Sequence, residues 1–88
     1  MTSSVHIASP LRSYTAGAAT VTAEGGTVGE LLGDLERRYP GMRFRMIDEQ
    51  QRIRPHIRIF VGAREARDLQ LPVGPKDPVH LLCALSGG

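Results

Sequence analysis

The chain has 88 residues, enough for one domain with a single modest core, and at this size about 60–65% of the unfolded surface can be buried. Apolar residues make up 41% and charged residues 23%, far from the composition of a disordered chain, so it is expected to fold unaided. The net charge is +2, Cys83 is the single cysteine, and no apolar stretch or leader-like start stands out; together these exclude an internal disulfide, a cysteine-based zinc cluster and a membrane span, and make the cytoplasm the economical location.

Val5 and Ile7 alternate with His6 and Ala8, the period of two of a half-buried strand, which Pro10 stops. Residues 11–18 read as a connection. Ala19, Val21 and Ala23 then alternate with Thr20, Thr22 and Glu24 as a second strand, most simply hairpin-paired with the first. Thr27 with Glu30 three residues on has capping-box spacing and predicts a helix start. Val28, Leu31, Leu32, Leu35 and Tyr39 form one apolar stripe, with Glu30, Asp34, Glu36, Arg37 and Arg38 turned elsewhere, until Pro40-Gly41 ends the helix. Gly29 and Gly33 weaken it by about 1 kcal/mol each relative to alanine, which suggests a close approach to a sheet.

Met42 to Ile47 predicts a short irregular or helical piece, and Asp48 to Arg52 a polar loop. Ile57, Ile59 and Val61 alternate as a third strand beginning after Pro55. Gly62-Ala63-Arg64-Glu65 reads as its turn, and a short fourth strand is expected within Ala66 to Leu71. Pro72, Pro75 and Pro78 rule out regular structure in the next loop. The last strand, Val79 to Ala84, is nearly all apolar, which implies burial on both faces and a central place in the sheet. One helix among these strands makes an α+β domain, a mixed sheet of four to five strands packed on one main helix: a β-grasp.

Candidate chemistry is sparse among the side chains. His6, His56 and His80 are isolated in sequence, with no cysteine or carboxylate at ligand spacing, so no metal site and no enzyme is expected. Cys83 reads as a small core hydrophobe. Phe60 is either sheet packing or part of a partner patch. From Arg37 to Arg67 nine arginines face only Asp48, Glu49 and Glu65. With few aromatic rings to stack on bases, that excess reads as a solvated face or one that docks on an acidic protein, not as a nucleic-acid site. What remains is the end of the chain. Gly87-Gly88 closes no turn and is either a frayed terminus or an unbranched tail able to carry a carboxylate into a narrow pocket.

Pro10-Leu11-Arg12 with Tyr14-Thr15 and Gly17, Gly26-Thr27-Val28 leading into Leu31-Leu32 and Leu35-Glu36, Tyr39-Pro40-Gly41, Ile59-Phe60-Val61, and Ala84-Leu85-Ser86-Gly87-Gly88 follow one another over nearly the whole chain. In this the sequence resembles the ubiquitin-like sulfur carriers of the ThiS/MoaD family, closest to the CysO-type branch that serves cysteine synthesis. It departs from the family pattern in the turns at residues 62–65 and 75–78 and in lacking a proline near Leu82 or Cys83, differences that bear on partner choice and on the path of the tail. The resemblance implies a single β-grasp domain over residues 1–88 with a flexible tail at 85–88. It further implies a carrier, not an enzyme, whose Gly88 carboxylate is adenylated by an E1-like enzyme using ATP and converted to a thiocarboxylate. Gly87, Ser86 and Leu85 would then thread into partner active sites, with Phe60 and Arg58 as a partner surface. Implied acceptors are a pyridoxal-phosphate-dependent cysteine synthase, a thiazole-synthase-like enzyme, the large subunit of molybdopterin synthase or an enzyme making a sulfur-containing natural product. A lysine-conjugated protein modifier and a molybdopterin synthase small subunit are the alternatives; the expectation includes no bound cofactor, no nucleic acid and no membrane.

Overall fold

Ser3, Val5 and Ile7, Val21 and Ala23, Ile57, Ile59 and Val61, and Val79 and Leu81 are all buried, while the residues between them are not. That strict alternation is what a sheet covered on one face requires. The computed structural model describes residues 2–83. Its strands are β1 (Thr2–Ile7), β2 (Thr20–Glu24), β3 (Ile57–Val61), β4 (Arg64–Ala66) and β5 (Val79–Cys83), in the order β2-β1-β5-β3-β4. β1 pairs with β2 antiparallel, as the hairpin expectation had it, and with β5 parallel; β3 is antiparallel to both β5 and β4. The mixed sheet, expected with four to five strands, has five, and the single main helix is present.

The connection after β1 is a 3-10 helix, Ser9–Thr15, which tucks Leu11 into the core. The main helix, α1, runs Val28–Arg38 with Val28, Leu31, Leu32 and Leu35 buried against the sheet. Its start differs from the simple capping box. The Thr27 hydroxyl accepts from the Glu30 N–H at 3.2 Å, but the Glu30 carboxylate accepts from the Gly26 N–H at 2.8 Å, one residue further back. The amides of Val28 and Gly29 are instead satisfied by the carbonyls of Leu71 and Leu69, so tertiary contacts supply what a second local cap would have. Gly29 owes its missing side chain to that same contact, since a Cβ there would stand 3.1 Å from Leu69 Cβ. The close approach is thus to the 69–71 segment rather than to a strand, and nothing in the structure explains Gly33.

Three placements differ from the sequence expectation. β4 is Arg64–Ala66, not a strand within 66–71, because Gly62 and Ala63 alone make the turn: Val61 pairs with Arg64, and Gly62 sits at φ 61. A two-residue hairpin needs a positive φ there, which glycine supplies. Ala66 ends the ladder, and the next residues turn toward α1. β5 is central as expected, but only its inner face is covered: Leu82 is 43% exposed on the other.

The third difference is Asp34, expected outside the apolar stripe and yet only 4% exposed. Its carboxylate accepts from the Glu24 N–H at 2.9 Å, from Arg38 Nε at 2.8 Å and from Arg37, tying α1 to the end of β2. Glu36, two residues on, works similarly, accepting from the N–H groups of Gly41 and Arg43 at 3.0 Å and so capping α2 (Met42–Met46) from the preceding helix. The short piece expected to be irregular or helical over Met42 to Ile47 is therefore a helix, held by a side chain outside it. The Glu24 N–H, then Arg38 and Arg37, outweigh burial and hold Asp34 below its ordinary 3.8. The Gly41 and Arg43 amides do the same for Glu36 from 4.5. A carboxyl lowered in the folded state stabilises the protein above its unfolded pKa, and that contribution is lost as pH falls through the folded value. The thermal midpoint should accordingly be flat down to about pH 5 and fall steeply below about pH 4. Asp34→Asn should lower the midpoint at neutral pH and flatten the acid limb. An unchanged acid limb in melts recorded across pH would show that Asp34 does not carry it.

Candidate functional site

β5 lies between β1 and β3, so it is hydrogen-bonded along both edges up to its last residues. Ile57 pairs with Cys83 and Arg58 with Leu82, and the N–H of Ala8 donates to Leu81 O at 3.1 Å. The chain beyond Cys83 therefore departs from a strand fixed on two sides, at one end of the sheet. Gly88, Gly87, Ser86 and Leu85, the residues expected to carry and thread the reactive group, lie outside the described residues.

The outer face of the sheet beside that point is uncovered. Register places Thr20, His6, His80, Phe60 and Glu65 in one row across all five strands, with Leu82 and Arg58 side by side in the next. The predicted partner residues Phe60 and Arg58 both lie on this face, where Phe60 points away from the helix and is half-buried. Arg58 pairs with Glu65 at 3.0 Å, an exposed ion pair worth little to stability.

Sequence reasoning missed one feature of this face. His6 and His80 are far apart in the chain, but the parallel register makes them direct neighbours, and their rings stack with centroids 4.6 Å apart and 11° between planes. The only signal available was that both occupy outward positions of their strands. With Leu82 and Phe60 they give the face a strip of flat and apolar surface in place of the polar residues expected opposite a core. Among the described residues no group of three or more metal-ligating side chains occurs. His56 sits apart, in the loop before β3. Burial raises the Cys83 thiol above its ordinary 9.0, with Arg45 opposing weakly; Cys83 packs against the core, in keeping with the hydrophobic role expected of it and opposite to what a nucleophile needs. No helix among the described residues is long and apolar enough to cross a membrane.

A mixed sheet with parallel first and last strands at its centre, clasping one helix and ending its central strand at an uncovered face, defines the ubiquitin-like β-grasp. No protein-family model matches the chain. It is 32% identical, over its full length and theirs, to the proteins named sulfur carrier protein CysO from Mycobacterium bovis and Mycobacterium tuberculosis. The crystal structure of Mycobacterium tuberculosis CysO superposes with a TM-score of 0.88 at 30% identity, covering 93% of this chain and 98% of that one. The Amycolatopsis orientalis BexX/CysO complex gives 0.90 at 32% identity, covering 97% and 98%. The chain belongs to the CysO family of ubiquitin-like sulfur carriers. The archaeal modifier protein SAMP1 of Haloferax volcanii shares the fold, with a TM-score of 0.83 at 23% identity over all of both chains.

Proposed function

We propose that this carrier works through its terminal carboxylate and supplies no catalytic side chain of its own. A carboxylate oxygen of Gly88 attacks the α-phosphate of ATP in a separate E1-like enzyme, and pyrophosphate leaves. A sulfur nucleophile, sulfide in the simplest case, then adds to the acyl-adenylate carbonyl and AMP leaves, so that the chain ends in a thiocarboxylate. The terminal sulfur is ionised at neutral pH and nucleophilic for the same reason a thiolate is. The folded body contributes docking and orientation, which convert a bimolecular encounter into a positioned one.

The observation that carries this reading is that β5, the strand leading to the C-terminal residues, is hydrogen-bonded on both sides up to its last residues. Five residues follow Cys83, and a span of five extended residues reaches roughly 17 Å, enough to enter a partner's active site while the body stays outside. The uncovered face of Leu82, His80, Phe60 and Arg58 then serves as the surface that the activating enzyme grips. The likeness to CysO proteins supports an acceptor in cysteine synthesis, a pyridoxal-phosphate-dependent enzyme that holds an activated serine-type substrate. The BexX/CysO complex supports docking of such a carrier on a partner protein.

Intact mass provides the test. Incubation with the activating enzyme, ATP and sulfide should raise the carrier's mass by the difference between sulfur and oxygen, and alkylation should map the change to Gly88. A carrier that instead appears linked to lysine side chains of other proteins, with no thiocarboxylate formed, would replace this reading with that of a protein modifier.

A further inference from the structure

Phe44 is 60% exposed on α2, the most exposed of the large apolar side chains among the described residues. It is not loosely held. The Arg54 guanidinium lies 4.7 Å from the ring centroid, and Arg54 Nε donates to Phe44 O at 2.8 Å. An aromatic side chain fixed in this way loses little freedom when something covers it. Arg45 and His56 complete the same concave patch. Among the described residues neither Arg45 nor Arg54 is in a close ion pair, although Arg54 lies near enough to Asp48 to help hold that carboxyl below its ordinary value.

The patch has a definite relation to the tail. Arg45 stands close enough to Cys83 to favour its thiolate, and Arg54 and His56 lead into Ile57, the strand partner of Cys83. An exposed ring flanked by two arginines therefore sits beside the last described residue of β5. We propose that Phe44, Arg45 and Arg54 form a second docking surface, which seats on an acidic protein surface with an apolar recess at the mouth of the site that receives the tail.

This rests on the reading that the tail enters a partner enzyme. Charge complementarity identifies the occupant. The exposed Arg45, which has no ion-pair partner among the described residues, and the Arg54 guanidinium over Phe44 match an acidic rim, and the free edge and face of Phe44 match a recess, the usual form of an anchor residue. Nucleic acid fits less well, because Arg54 already covers one face of the ring on which a base would stack.

Calorimetric titration of the full-length carrier into the activating enzyme tests the surface. Arg45→Glu and Phe44→Ser should each weaken binding by about tenfold or more. Lys76→Glu, in the loop at the far end of the sheet, should stay within about twofold. Raised salt should weaken the wild type more than Arg45→Glu. Both exposed positions lie outside the core, and unchanged melts will verify that the variants fold. Equal affinities for wild type, Arg45→Glu and Phe44→Ser would overturn the proposal, as would tighter binding of a short DNA duplex through the same residues. The same titration with residues 87 and 88 deleted separates the two readings. Binding that depends on Phe44 and Arg45 and persists in the shortened chain, with no thiocarboxylate formed by the full-length carrier in the mass assay, upholds the surface and rejects the chemistry. Normal thiocarboxylate formation with unchanged affinity of the Phe44→Ser and Arg45→Glu carriers does the reverse.

Discussion

Deleting Gly88, or adding one residue after it, should abolish sulfur transfer and leave the melting curve where it was. Adenylation needs a carboxylate oxygen in line with the α-phosphate, and one more residue moves the carboxylate by about 3.5 Å. Since a misplacement of only ~1 Å can cost about a hundredfold in rate, neither a shortened nor a lengthened tail should retain measurable activity. Folding should be indifferent because the buried cluster ends with Leu81, with Cys83 packed at its margin. The measurement is thiocarboxylate formed per mole of carrier, with thermal denaturation as the control. Transfer at near wild-type rate by a carrier bearing an extra C-terminal alanine would end the proposed mechanism.

Leu81 and Leu82 give the second large contrast, since they are adjacent in β5 and point to opposite faces. Leu81 has no exposed surface and lies at the centre of the sheet against α1, whereas Leu82 is 43% exposed on the outer face. Leu81→Ala should cost about 2–5 kcal/mol through lost burial and the cavity left behind. In a domain of this size that is a fall of very roughly 10–30 °C in melting temperature. Leu82→Ala should barely move the midpoint and should raise the KM for the carrier in the activating enzyme's reaction, with kcat preserved, because docking and not chemistry is impaired. A Leu82→Ala protein with a normal KM would remove the outer face from the account of partner recognition.

How far the sequence could be read depended on whether a signal was local. Thr27 and Glu30 announce the start of α1 because caps act over one turn, and Ile57, Ile59 and Val61 announce β3 because alternation acts within a strand. The central place of β5 was also legible, from an apolar run that edge strands avoid. The inference that both of its faces are covered was not correct, because Leu82 is 43% exposed on the face turned away from α1, and an apolar run alone does not distinguish core residues from apolar residues left on a surface. Asp34 escaped notice since its partners are a backbone amide ten residues back and two arginines one turn on; a carboxylate beside an apolar stripe looks solvated until β2 is placed over it. The His6–His80 stack could not be read at all without the parallel register of β1 and β5. For the site, the residues that face outward were identifiable as candidates, but their grouping belongs to the tertiary structure.

The double pairing of β5 has a mechanical side. A pull on the chain beyond Cys83 runs along the strand and loads the rungs to β1 and to β3 crosswise at the same moment, so they must give way together instead of opening one after another like a zip. A machine that tugs on the end of this protein, or flexes it while working on it, meets a tether anchored in shear on both flanks, and the body behind it holds its shape.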